Sequence, residues 1–254
     1  MVKNHFSELK VVLRHSTTYA VSNFLSRIVS FVMIPVYTRF LSPDDYGILE
    51  LITITLTVLS IVLAGGLTEA VSRFYFDYKE QRDRNRVISV GLISFIVLGV
   101  VAFAVLAPFS GWLSALVLGS SEYKSFFLIA VAYMSMSLWL QLIYAYFRVS
   151  RRSISLTVSS LAGLVVSLSL NILFVVGLKI GVEGILLATL ITQSLQVAVL
   201  MPMTFKKVGT AFDFPLLNKM FRFGFPVIFT QISHQVVTVS DRYFIKAFSK
   251  LIFH

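Results

Sequence analysis

Seven stretches of this chain run for about 20 residues or more with few charges, the length a helix needs to cross the hydrocarbon core of a bilayer. They lie at about 17–40, 46–73, 87–107, 125–147, 156–178, 182–204 and 221–245. Their apolar residues are continuous and do not alternate with period two, so the spanning elements are helices and not barrel strands. The fold class that follows is all-α, a polytopic membrane helix bundle. Composition agrees: 57% of the residues are hydrophobic and 13% charged, where soluble domains carry about 25% charge. Cysteine is absent, which removes disulfides, thiolate metal sites and cysteine nucleophiles.

A net charge of +10 would suggest nucleic acid as the partner of a soluble protein. In a membrane protein the placement of the charge matters more, and no nucleic-acid partner is expected. Fifteen of the 22 Lys and Arg fall in the N-terminal tail and the second, fourth and sixth connections, while the first, third and fifth hold only Arg39, Lys124 and Lys179. The positive-inside rule then makes the N-terminus cytoplasmic. Residues 1–15 place Phe6, Leu9 and Leu13 on one helical face and Lys3, Lys10 and Arg14 elsewhere, the pattern of a short amphipathic helix on a membrane surface. A cleaved signal peptide fits less well, since the first span is too long for an h-region. Between the third and fourth spans, "PFSGWLSALVLGSSEY" offers Trp112, Leu113, Leu116 and Val117 to the opposite interface as an interfacial turn, or is an ordinary loop with an aromatic anchor.

Inside a bilayer, polar side chains face other helices or a hydrated cavity, so their spacing marks the inward faces. The first span, "NFLSRIVSFVMIPVYTRFL", carries Tyr19, Asn23, Ser26, Arg27 and Ser30 at steps of three and four. The second has Thr53, Thr57, Ser60, Gly65-Gly66, then Glu69 and Arg73 as an i, i+4 pair; the fourth aligns Tyr133, Ser137, Gln141, Tyr144 and Arg148. Ser160, Ser167 and Asn171 mark the fifth, Thr189, Gln193 and Gln196 the sixth, and Gln231, His234, Thr238 and Asp241 the seventh. The third span is nearly bare of polar groups, which predicts a peripheral position. Arg27 is the sharpest feature: an arginine at a span's centre costs about 2.5–3.5 kcal/mol on insertion scales. It either lines a cavity and meets substrate or pairs structurally, for instance with Glu69. Glu69 and Arg73 read as a helix-stabilising ion pair or as a gate.

Enzyme signatures are missing. There is no H-E-x-x-H, G-x-S-x-G, Walker loop or G-x-G-x-x-G. His5, His15, His234 and His254 are too scattered for metal-ligand spacing, so neither a metal nor a cofactor is expected. The "DRNR" run at 83–86 reads as a solvated basic loop.

Two motifs carry a family resemblance. "YAVSNFLSRIVSFVMIPVYTRFLSPDDYGILEL" resembles the opening of bacterial polysaccharide biosynthesis membrane proteins, lipid-linked oligosaccharide flippases of the multidrug, oligosaccharidyl-lipid and polysaccharide exporter superfamily. "FRFGFPVIFTQISHQVVTVSDRYFIKAF" resembles the helix that opens the second lobe in that family. The resemblance implies two six-helix lobes around a cavity that opens alternately to the two sides. On that template residues 16–205 form one six-helix transmembrane lobe and 206–254 a cytoplasmic linker with the first helix of the next, so the chain is expected to be C-terminally truncated and inactive alone.

The resemblance further implies a polyprenyl-diphosphate-linked oligosaccharide as cargo, moved across the bacterial inner membrane for surface polysaccharide such as O-antigen or capsule, with other polysaccharide-assembly membrane proteins as partners. Arg27 would take the diphosphate, Asn23, Gln141, Gln193 and Gln196 would bond sugar hydroxyls, Tyr133 and Tyr144 would stack on sugar rings, and Arg148 would draw the head group to the mouth. Glu69, Arg73, His234 and Asp241 are the gate or coupling candidates. Met33 and Ile34 stand where the peptidoglycan-precursor flippases carry a further charged pair, which favours surface polysaccharide. The alternatives are a cation-coupled multidrug exporter, which Arg27 disfavours, and a membrane glycan polymerase or ligase, which the short outer connections disfavour.

Overall fold

The computed structural model describes residue 31, residues 33–35 and residues 37–252, with side chains described as far as Val237. The expected amphipathic segment 1–15 and most of the first span, including Asn23 and Arg27, lie outside the described residues, as do the side chains of Thr238 and Asp241.

A helical segment at 37–40 leads through Leu41 and Ser42 into α1 (Pro43–Ala64). It is followed by α2 (Leu67–Asp77), α3 (Gln81–Leu106), α4 (Ser110–Leu118), a 3₁₀ turn at Ser121–Tyr123, α5 (Lys124–Val149), α6 (Ser153–Asn171) continued by a π-helical turn at Ile172–Gly177, α7 (Gly181–Val208) and α8 (Phe214–Ile252). Five stretches among the described residues are long and apolar enough to cross a membrane: Pro43–Asp77, Gln81–Leu106, Ser121–Val149, Ser153–Gly177 and Gly181–Val208. They coincide with the second to sixth expected spans, and the chain is a multi-pass membrane protein. The seventh expected span lies within α8, but α8 is not among the five, because Gln231, Ser233, His234 and Gln235 dilute its apolar run.

The "LSPDDYG" turn works as a helix start. Ser42 Oγ accepts from the Asp45 amide at 3.2 Å while Asp45 Oδ2 accepts from the Ser42 amide at 2.9 Å, a reciprocal capping box that satisfies two otherwise unpaired donors. Pro43 occupies the first turn, where its missing N–H costs nothing.

The second span is not one helix. Gly65 and Gly66 both adopt left-handed conformations, with φ of 57° and 65°, which a residue bearing Cβ visits only at a cost of about 1–2 kcal/mol. The chain breaks there and restarts as α2. Gly224 of α8 lies directly on the break: a Cβ on Gly66 would overlap the Gly224 backbone, and a Cβ on Gly224 would overlap the Gly65 carbonyl. Three glycines thus let α8 cross the second span backbone to backbone.

α3 departs from its expected periphery. Over its most apolar window 56% of residues are buried, against 17% for the Pro43–Asp77 and Ser153–Gly177 spans. A helix without polar groups can face lipid or protein equally well, and here two glycines decide. Gly91 accepts Val71 and Leu142, and Gly99 accepts the Trp139 indole so closely that a Cβ would collide with it. Trp139 Nε1 donates to the Phe95 carbonyl at 2.9 Å, and Ser135 Oγ to the Gly99 carbonyl at 3.0 Å. Close approach of small residues is the usual means of helix association in membranes. The principal core, built around Val71, Ile88, Phe95, Leu142 and Ile143, lies between α2, α3 and α5.

At the basic end the expected "DRNR" loop is the start of α3 itself. Arg86 pairs with Asp213 at 2.7 Å, Arg84 Nε donates to the Tyr78 carbonyl at 2.8 Å, and Ser89 Oγ donates to the Gly209 carbonyl at 3.1 Å. The Arg86 and Ser89 contacts fasten the connection between α7 and α8 to the head of α3, and the Arg84 contact holds the turn between α2 and α3. At the other end Trp112 and Leu116 of α4 are exposed while Leu113 is buried, so the expected interfacial turn is a short helix presenting an apolar edge.

Candidate functional site

α1, α5, α7 and α8 surround a cavity of about 470 Å³. One face of α5 supplies Tyr133, Ser137, Gln141 and Tyr144, spaced by four, four and three residues so that their side chains stack along one stripe. α1 contributes Thr57 and Ser60 beside the apolar Leu56, Ile61 and Ala64; α7 contributes Gln193 and Gln196; α8 closes the ring with Gln231. No charged residue is among the described residues that line it.

The polar groups are partly committed to one another. Gln196 Nε2 donates to the Tyr144 hydroxyl and to the Ser159 carbonyl, both at 2.9 Å, tying α5, α6 and α7 together in the wall. Gly163 makes room for that amide, since a Cβ there would overlap the Gln196 side chain. Thr57 Oγ1 donates back to the Thr53 carbonyl at 2.7 Å, leaving its lone pairs for the cavity. Gln193 Oε1 is buried and has no hydrogen-bond partner among the described residues. A buried acceptor left unpaired costs about 1–3 kcal/mol, and a donor entering the cavity would relieve it.

Of the residues singled out in the sequence, the structure gathers Tyr133, Gln141, Tyr144, Gln193 and Gln196 around this one cavity. Arg148, one turn beyond Tyr144, is exposed and not in its lining. Arg27 and Asn23 lie outside the described residues. Glu69 and Arg73 do not form the expected ion pair. Arg73 reaches Asp77, its other i, i+4 carboxylate, at 4.0 Å, and its guanidinium lies 4.6 Å over the Phe223 ring. Glu69 Oε2 is buried without a hydrogen-bond partner among the described residues. His234 is exposed and off the lining.

Asn171, expected on an inward stripe, is a structural link. It accepts from the Tyr37 hydroxyl at 3.0 Å and donates to the Ser167 carbonyl at 2.8 Å, joining the end of the first span to α6. Thr57, Ser60 and Ser137 line the cavity without being among the expected substrate contacts, and so does Gln231. It stood in a recognised polar stripe, but only packing of α8 against α1 and α2 brings it to the cavity.

The sequence profile of the polysaccharide biosynthesis protein family matches residues 12–251. A comparison with curated proteins gave no match. Among solved structures, a MATE protein in the straight conformation superposes with a TM-score of 0.71 at 17% identity, over 91% of this chain and 54% of that one. A MATE protein in complex with Br-NRF gives 0.70 at 18% identity over 91% and 56%. A MOP superfamily transporter from Pyrococcus furiosus, whose binding pocket is described as having reversed polarity, gives 0.67 at 17% over 91% and 54%. At such identities the likeness establishes the fold, and the chain spans about half the length of these structures. With the profile covering nearly its whole length, the chain belongs to the polysaccharide biosynthesis protein family and has the MATE-like fold.

Proposed function

We propose that this chain supplies one wall of a flippase that carries polyprenyl-diphosphate-linked oligosaccharide across the bacterial inner membrane for surface polysaccharide assembly. The observation that carries this reading is the lining of the cavity: amides, hydroxyls and phenols, with no carboxylate or cation among the described residues. Such a surface offers hydrogen bonds in both directions and two aromatic faces, which suits a neutral polyhydroxyl cargo. A cationic drug would call for a carboxylate.

In this reading Gln141, Gln193 and Gln231 bond sugar hydroxyls. The open Gln193 Oε1 accepts a hydrogen bond from a sugar hydroxyl, and Tyr133 and Tyr144 flank the rings. Arg27, a fixed guanidinium inside a span, takes the diphosphate, whose oxygens match its planar fork. Because the chain spans about half of its structural relatives, the opposite wall is assigned to a second lobe. The role is conformational carriage without bond chemistry.

The test is complementation in a strain lacking its own flippase of this family, scored by surface glycan. It is run with the chain alone and with the chain joined to a second lobe. Glycan restored by the joined form, and lost with Gln141→Ala plus Gln193→Leu at equal expression, is the expected result. Restoration that survives both substitutions, or drug efflux without glycan, overturns the reading.

A further inference from the structure

A second concavity lies outside the central cavity, and nothing above uses it. It is a groove of about 420 Å³ between α6 and α7, touched at one end by Phe147. Its rims, Val158, Leu195, Val199 and Met203, are each more than half exposed, so the groove opens sideways onto the surface that faces hydrocarbon. From Arg152 to Val166 it follows α6 for about 21 Å at 1.5 Å per residue, about two thirds of the hydrocarbon thickness. An apolar trough of that length accommodates an extended lipid tail.

The two ends of the groove differ in charge. Arg152, immediately before α6, and Lys207, in the last turn of α7, both line the same end, because α6 and α7 run antiparallel. Neither forms a salt bridge among the described residues, and Arg152 is steadied by lying 5.5 Å over the Tyr146 ring. No side chain caps the start of α6, whose amides add partial positive charge at the same place. Two cations closing one end of a hydrocarbon trough complement an anionic head with its tail attached.

The groove also abuts the central cavity, and Gln196 lines both. Its amide, held by the Tyr144 hydroxyl and the Ser159 carbonyl, is part of the partition between them. A phospholipid filling the bilayer has no need to lie beside a polar cavity. A cargo whose head must enter that cavity while its tail stays in lipid does need a tail path next to it.

We infer that the α6–α7 groove is a docking site for the cargo's lipid carrier, with the carrier phosphate between Arg152 and Lys207 and the isoprenoid chain along the trough toward Val166. This rests on the flippase reading and adds where the lipid half of the cargo waits before its head reaches the cavity.

The test measures binding of a polyprenyl monophosphate to the purified protein by native mass spectrometry, with phosphatidylglycerol and a phosphate-free polyprenol as competing probes. Retention should fall at least tenfold in Arg152→Ala plus Lys207→Ala, and likewise in Ala162→Phe, which fills the trough from an exposed position. It should persist in Val101→Phe, an exposed α3 position outside the groove that controls for folding. Polyprenol should bind at least tenfold more weakly, and equimolar phosphatidylglycerol should not displace the polyprenyl phosphate. Undiminished retention in both groove variants, or displacement by phosphatidylglycerol at equal concentration, overturns the inference. Failure here with glycan export still dependent on Gln141 and Gln193 removes the groove and leaves the flippase reading. Groove binding without glycan export does the reverse.

Discussion

Gly66 and Gly224 meet backbone to backbone, so closely that a Cβ on Gly66 would overlap the Gly224 carbonyl. The contact joins the break in the second span to α8, and no side chain mediates it. Gly224→Ala therefore forces the two helices apart. Overpacking of this kind typically costs about 1–3 kcal/mol, and the loss is expected as a lower unfolding midpoint in detergent. Gly47→Ala, where a Cβ meets nothing within 4 Å, should leave the midpoint unchanged or raise it. Equal midpoints for the two variants would show that the crossing is not tight.

Trp139 bonds the Phe95 carbonyl at 2.9 Å and lies on Gly99. Gly99→Ala should be more destabilising than Trp139→Phe. The first pushes the α3 and α5 backbones apart, while the second loses one intramembrane hydrogen bond, about 0.6 kcal/mol on average, and some packing. Thermal unfolding of both variants, followed by helicity, checks the order.

What the sequence disclosed and what it concealed divide along physical lines. Span positions were legible because hydrocarbon demands about 20 apolar residues, and five of the expected spans coincide with helical stretches to within about six residues at each end. The inward stripe of α5 was legible because Tyr133, Ser137, Gln141 and Tyr144 repeat at helical spacing. The position of α3 was not, since a side chain suited to lipid is equally suited to a protein interior. Only Gly91 and Gly99 hinted at close packing, and a glycine in a membrane helix is too common to decide it. The Arg73 partner was also hidden: Glu69 and Asp77 both lie four residues away, and the Phe223 ring that draws Arg73 away from Glu69 comes from 150 residues further on. The break at Gly65-Gly66 was visible as a dipeptide, but its cause, Gly224, is distant in sequence.

Gln196 couples two helices through one amide. Tyr144→Phe removes one acceptor and Gln196→Leu removes the donor, so a double-mutant cycle should return a coupling of about 0.6 kcal/mol, within the range found for hydrogen bonds between membrane helices. Gly163→Ala should displace the same amide and abolish the coupling. Additive single-mutant effects would mean that the Tyr144 bond contributes nothing and that Ser159 alone holds the glutamine.

Asp213 has two duties that substitution can separate. Its carboxylate pairs with Arg86 at 2.7 Å, and its Oδ1 accepts from the Leu216 amide at 3.1 Å, capping the start of α8. Asparagine retains a capping oxygen but carries no charge, so Asp213→Asn should cost as much as Arg86→Ala. With Arg86 about half exposed, that cost should be at most about 1 kcal/mol. Asp213→Ala loses the cap as well and should cost about 1 kcal/mol more. High salt should shrink the difference between the parent and Arg86→Ala, since exposed charges are screened, but leave the difference between Asp213→Asn and Asp213→Ala intact. Unfolding midpoints of the three variants at low and high salt measure both terms. A salt-independent Arg86 effect would show that the arginine acts through packing on the α7–α8 connection and not through its charge.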